Sequence, residues 1–125
     1  MKGDFGRFIE EKRKAQQMTL RGFAAELDIT PAYTSDIEKG HRYPPDKEKL
    51  DLMAYVLRLS EEEKAKMFDL AAMEKDNTVS PDLPEYIMGT TKARVALRMA
   101  RDSGASDATW QKVIDMLEAE QEAQE

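Results

Sequence analysis

The sequence has no cysteine and a single histidine among its 125 residues. Without cysteine the chain has no disulfide, thiol nucleophile or iron–sulfur cluster, and one histidine cannot supply a zinc site with two imidazole ligands. The longest apolar run is Leu52 to Leu57, far short of the roughly 20 residues of a membrane span. The start, MKGDFGRFIEEKRK, lacks the apolar core of a signal peptide. We therefore expect a cytoplasmic protein with no membrane association, metal or cofactor.

Charge is unevenly distributed along the chain. The formal net charge is −6, which at face value argues against binding to a polyanion such as DNA. Residues 1–60, however, carry 11 basic and 10 acidic side chains, whereas residues 61–125 carry 8 and 15. The acidity is therefore localised in the second half, and the first half is close to neutral.

Apolar residues recur with helical spacing throughout, and no segment alternates as a strand does, so the sequence predicts an all-α fold. The first helix is predicted to begin with Asp4 as its N-cap. Two short helices should follow, one after Thr19 and one after Thr30, joined by a turn in which Asp28 adopts an unusual backbone conformation.

The predicted organisation has two helical parts. A capping box at Ser60 and Glu63 opens the fifth helix of the first domain, residues 1–74. The segment KDNTVSPDLP, residues 75–84, is predicted as a linker because it contains two prolines and little apolar content. Residues 85–125 should form a small C-terminal helical module, whose tail beyond Leu117 has nothing to bury and is expected to fray.

The segment TLRGFAAELDITPAYTSDIEKGHRYPP, with EKRKAQQM before it, resembles the XRE-type (phage repressor and Cro-like) helix-turn-helix family of transcriptional regulators. The resemblance covers about residues 4–73 and rests on Arg13, Ala24, the pair Thr30 and Pro31, and the run IEKG at residues 37–40. It implies a five-helix DNA-binding domain in which Arg13 pairs with Glu38. Three positions depart from the family pattern: Asp28, Thr34 and Asp36.

The resemblance also implies which residues contact double-stranded DNA. A recognition helix at about residues 30–39 would enter the major groove, with base edges facing Ala32, Tyr33, Ser35 and Asp36. Phosphate contacts are expected from Arg13, Thr19, Arg21, Thr30, Lys39, His41, Arg42 and Tyr43. The Arg13–Glu38 pair has an alternative interpretation as a clamp that only holds the fold together.

The C-terminal module carries apolar stripes that need a partner surface. These stripes consist of Val95, Met99, Trp110, Val113, Ile114 and Leu117. We expect a homodimer through them, because such regulators read two half-sites; packing within the chain is the alternative. The preferred function is a sequence-specific repressor. The alternative is a protein-interaction module, such as an antitoxin or adaptor. An enzyme is not expected, because the carboxylates lie at helical surface spacings and the sequence suggests no apolar pocket around them.

Overall fold

The computed structural model describes residues 3–124, and within this range the chain forms eight α-helices and no strand. The helices are α1 (Asp4–Ala15), α2 (Leu20–Glu26), α3 (Pro31–Glu38), α4 (Lys47–Val56), α5 (Glu61–Ala72), α6 (Pro84–Gly89), α7 (Thr91–Ser103) and α8 (Asp107–Gln124). The predicted all-α class is confirmed. Among the described residues, no helix combines the length and apolar character that crossing a membrane requires.

Helix starts follow the predicted caps with one exception. Thr19, Thr30 and Ser60 each accept a backbone hydrogen bond from the first turn of the helix that follows, and Ser60 forms the complete capping box with Glu63. Asp4 was predicted as the N-cap of α1, and this is wrong. Gly3 occupies that position with φ 96°, and the Asp4 carboxylate pairs with Arg7 in the first turn.

The turn between α2 and α3 has the predicted unusual backbone. Asp28 adopts φ 55°, in the left-handed region that Asp and Asn tolerate better than most residues. Gln17, after α1, and Arg58, after α4, have similar angles of 58° and 55°. Each of these residues reverses the chain within a short connection, so α1 to α5 pack closely.

The core lies among α1 to α5. Thr34, where the family has an aliphatic residue, is also buried, and its hydroxyl donates to the carbonyl oxygen of Thr30 at 2.9 Å. The helices therefore enclose a continuous apolar interior with this polar group satisfied. Its buried apolar side chains are Phe5, Phe8, Ile9, Phe23, Ala24, Leu27, Ile37, Leu50, Met53, Ala54, Leu57, Met67, Phe68, Ala71 and Ala72.

Gly6 lets α1 lie directly against the end of α3. A Cβ atom at this position would lie 2.5 Å from the carbonyl oxygen of Ile37 and closer still to that of Glu38. Real side chains do not approach backbone oxygens this closely, so only glycine fits. The close approach of α3 to α1 thus depends on the absence of a side chain at Gly6.

The chain forms two compact units, one ending at Pro84 and the other beginning at Glu85. The segment 75–84, predicted as a linker, lies in the first unit. Ser80 is buried there, and its hydroxyl donates to the Asp69 carboxylate of α5. The division into functional domains at residues 74 and 85 stays a prediction.

The second unit consists of α6, α7 and α8, and none of its described residues is buried. Gly104 ends α7 with φ 65°, and Ser106 accepts from the backbone of Thr109 at the start of α8. The tail was expected to fray beyond Leu117, but α8 continues to Gln124. Alanine, glutamate and glutamine are good helix formers, so the helix persists without an apolar stripe.

Candidate nucleic-acid interface

The starts of α2 and α3 carry two of the predicted phosphate contacts. Thr19 Oγ1 accepts from the backbone nitrogen of Gly22 at 3.0 Å, and Thr30 Oγ1 accepts from that of Tyr33 at 3.1 Å. Both threonines are exposed, and so is Arg21 in the first turn of α2. Since each hydroxyl uses only an oxygen lone pair in capping, its hydrogen remains able to donate to a phosphate.

Helix α3 has one buried and one accessible face. Thr34, Ile37 and Glu38 face the interior. The accessible face consists of Ala32, which is exposed, and of Tyr33, Ser35 and Asp36, which are half-buried. Because side chains spaced in this way share one side of a helix, the four residues predicted to face base edges lie together on one surface.

Arg13 and Glu38 form the implied ion pair. The Arg13 Nε and Nη2 atoms donate to the two Glu38 carboxylate oxygens at 2.8 and 3.0 Å, and Nη1 donates to the carbonyl oxygen of Met18 at 2.9 Å. The hydrogen bonds to Glu38 raise the pKa of Arg13 above its ordinary value. Arg13 is only 8% exposed, so the geometry is that of a clamp between α1 and α3. A phosphate contact by Arg13 stays a prediction.

The loop after α3 brings cationic side chains beside the recognition helix. His41, Arg42 and Tyr43 are all exposed, as is Lys39 before them. The Arg42 guanidinium carbon lies 5.5 Å from the ring centroid of Tyr33, within the range of a cation–π contact. Arg42 is thereby held against the accessible face of α3.

Asp36 has a basic neighbour in the same loop. Its Oδ1 atom lies 3.8 Å from His41 Nδ1. The side chains are 43% and 67% exposed, so water screens this interaction. Asp36 therefore remains a carboxylate on the accessible face of α3.

The sequence missed one cation at this surface. Lys75, which follows α5, places its Nζ atom 4.6 Å from the ring centroid of Tyr43. The two residues are far apart in the chain, and no sequence pattern predicts their contact. Within residues 3–124 no group of three or more His, Asp or Glu side chains is arranged to hold a metal ion. The chemistry offered by this surface is hydrogen bonding and positive charge.

Residues 9–64 match the protein-family model described as Helix-turn-helix. The chain is also similar to one in a solved structure described as "SinR protein/SinI protein complex", with 19% sequence identity and a TM-score of 0.48, over 94% of this chain and 98% of that one. No curated protein matches the chain. The assignment of a family to this region rests on the family model alone. Regulators with this domain are generally not enzymes. Residues 9–64 therefore form a helix-turn-helix domain of the XRE type, which supports a DNA-binding regulator of that type.

Proposed function

We propose that the protein is a sequence-specific repressor that binds double-stranded DNA as a homodimer, with α3 in the major groove. One observation carries the proposal: α3 buries one face and presents the other, with cationic side chains directly after it. A helix presented in this way fits the width of the major groove, and basic side chains beside it neutralise phosphates.

Sequence would be read by the accessible face of α3. Ser35 can donate to or accept from any base edge, and Asp36 would accept from the amino group of cytosine. Ala32 would contact a thymine methyl group, with Tyr33 next to it. Asp36 thus disfavours DNA in general and favours a site with cytosine at its position, which makes it the principal specificity determinant.

Position on the duplex would be fixed by two groups of phosphate contacts. One group precedes or opens the helices and consists of Thr19, Arg21 and Thr30; the other follows α3 and consists of Lys39, His41, Arg42 and Tyr43. Arg13 contributes chiefly by holding α3 against α1 through Glu38.

Selection of bound fragments from a random duplex pool tests the DNA-binding part. We expect a two-fold symmetric site with half-sites about one helical turn apart. Asp36→Asn should change the selected base at one position in each half-site, whereas Arg42→Ala should weaken all sites alike. Lys66→Gln, which removes a charge from the exposed surface of α5, serves as the control. Failure of the unmodified protein to retain any DNA at low salt would overturn the proposal.

The homodimer is supported by the exposure and charge of the second unit. Trp110, Ile114 and Leu117 remain 39%, 47% and 51% exposed. Helix α7 carries four basic and one acidic side chain, whereas α8 carries one basic and five acidic ones. No ion pair joins α7 to α8 within the described residues. The second unit therefore offers apolar surface and complementary charge, which a second copy of the same unit would match.

Charge exchange between two variants tests the dimer. Arg98→Glu with Arg101→Glu makes both helices acidic, and Glu118→Lys with Glu122→Lys removes the net negative charge of α8 while α7 stays basic. Each variant alone should therefore dissociate more readily. Mixing the two should restore a dimer, measured by mass in solution and by Trp110 emission on dilution. A monomeric mass for the unmodified protein at every concentration would reject the dimer and favour the alternative, a module that binds another protein.

A further inference from the structure

The end of α5 meets the loop that follows the recognition helix. Glu74 accepts a hydrogen bond from the backbone nitrogen of Gly3 at 3.0 Å, which ties the end of α5 to the start of α1. Glu74 also lines a small pocket with the loop residues 40–43. Its second carboxylate oxygen, Oε2, is buried and has no hydrogen-bond partner among the described residues.

Lys75 is positioned by this arrangement. Its backbone nitrogen donates to the carbonyl oxygen of Ala72 at 3.2 Å, and its side chain lines a groove with Pro44 and Pro45. Its ammonium group lies over the ring of Tyr43, which is 62% exposed. A lysine on an open surface samples many rotamers, whereas contact with the ring favours those that keep the charge beside the loop.

We propose that the DNA-binding surface extends to the end of α5, where Lys75 contacts a backbone phosphate next to the loop after α3. The inference rests on the proposed function, and it adds a residue outside the matched range 9–64. Arg42 and Lys75 each lie over a tyrosine of the α3 region, Tyr33 and Tyr43 respectively. Arg42 belongs to the loop and Lys75 lies over the loop residue Tyr43, so a phosphate chain running along the loop would meet both charges.

The experiment measures DNA affinity against salt concentration for the full chain and for Lys75→Gln, using a duplex selected by the unmodified protein. Loss of one phosphate contact should reduce the slope of log affinity against log salt by about one. Affinity at about 0.1 M salt should fall by up to roughly eightfold, with the base preferences unchanged. Lys75→Arg should keep the slope, because it keeps the charge.

Lys66→Gln is the matched control. Lys66 lies in α5 and, like Lys75, over an aromatic ring, but its ring is that of Phe8 in α1, at 5.9 Å. The slope of log affinity against log salt for Lys66→Gln should equal that of the unmodified protein. An unchanged slope for Lys75→Gln, alongside a reduced slope for Arg42→Ala, would overturn this inference and leave the proposed function intact. Absence of DNA binding by the unmodified protein would overturn both.

Discussion

The two units of the chain differ in how they bury apolar side chains. Among residues 3–84, 15 apolar side chains are buried, including Phe5, Phe23 and Phe68 at 1% exposure or less. From Glu85 onward, none of the described residues is buried, although α7 and α8 have apolar residues at helical spacing. Both units have an amphipathic pattern, so the pattern alone does not decide whether a core forms.

The difference shows that the number and length of the helices determine how many apolar side chains an amphipathic pattern can bury. Five helices enclose an interior, whereas the second unit has 41 residues and two long helices. Chains of about 40 residues usually need a metal, a disulfide or a second subunit for stability. The proposed second copy of the chain would cover the apolar residues of α7 and α8, and packing within the chain is the alternative.

The sharpest contrast is expected between Phe23→Ala and Leu117→Ala. Phe23 is fully buried, so its truncation should lower the free energy of unfolding by about 4 kcal/mol at any protein concentration. Leu117 is half exposed, so its truncation should act mainly through association and depend on concentration. Urea unfolding at two protein concentrations measures both. A concentration-independent loss for Leu117→Ala would mean that the second unit stabilises itself.

Glycine substitutions provide a second contrast between the units. Gly6→Ala should lower the free energy of unfolding by about 3 kcal/mol, because its Cβ would overlap the carbonyl oxygens at the end of α3. Gly89→Ala, in the second unit, is the control, since its Cβ would meet no atom within 4 Å. Thermal unfolding measures both. Equal midpoints for Gly6→Ala and the unmodified protein would show that α1 can shift away from α3.

The clamp of the first unit has no counterpart among the described ion pairs of the second. Glu38→Gln keeps the size of the side chain but leaves buried Arg13 without its counter-charge, so we expect a loss of about 2 kcal/mol. Arg101→Gln is the comparison, because Arg101 pairs with Asp102 on an exposed surface and its loss should be below about 1 kcal/mol. The midpoints of denaturant unfolding for the two variants and the unmodified protein measure both losses of stability.

The smallest expected effect is the pH dependence of the stability that the ion pair between Lys12 and Glu63 contributes. Hydrogen bonds from Lys12 and then Ser60 lower the pKa of Glu63 from its usual 4.5 to about 2. A depressed carboxylate pKa stabilises the fold above the unfolded value, so this contribution should be complete above pH 4.5 and lost as the pH falls toward 2. Measured by acid unfolding, the Glu63→Gln variant should lack this pH-dependent loss of stability, whereas the Glu62→Gln variant should retain it.

Much of the first unit could be predicted from local sequence. The helix caps need only contacts within one helical turn, and they are made by Thr19, Thr30 and Ser60. The turn at Asp28 depends on the backbone of that residue itself. Nearby residues therefore determine both features. The sequence could not show the need for Gly6, because the carbonyl oxygens that exclude a Cβ belong to residues 37 and 38. The contact of Lys75 with Tyr43 is equally long-range.

The wrong predictions arose where two local effects compete. An aspartate near a helix start is favourable both as a cap and within the first turn, so Asp4 alone does not show which position it takes. For the C-terminal tail, loss of the apolar stripe predicted fraying, but intrinsic helix propensity extends α8 to Gln124. The Arg13–Glu38 pair came from the family resemblance, since spacing alone does not connect these residues.

The Arg13 guanidinium has a consequence for the speed of DNA recognition. It joins the carbonyl oxygen of Met18, in the turn after α1, to the carboxylate at the last residue of α3. Helix α1, the turn after it and the end of α3 are thus held together before the protein meets DNA. Little conformational entropy of these segments therefore remains to be lost on binding. We therefore expect association to be limited by diffusion and ionic steering, with on-rates that fall as salt rises.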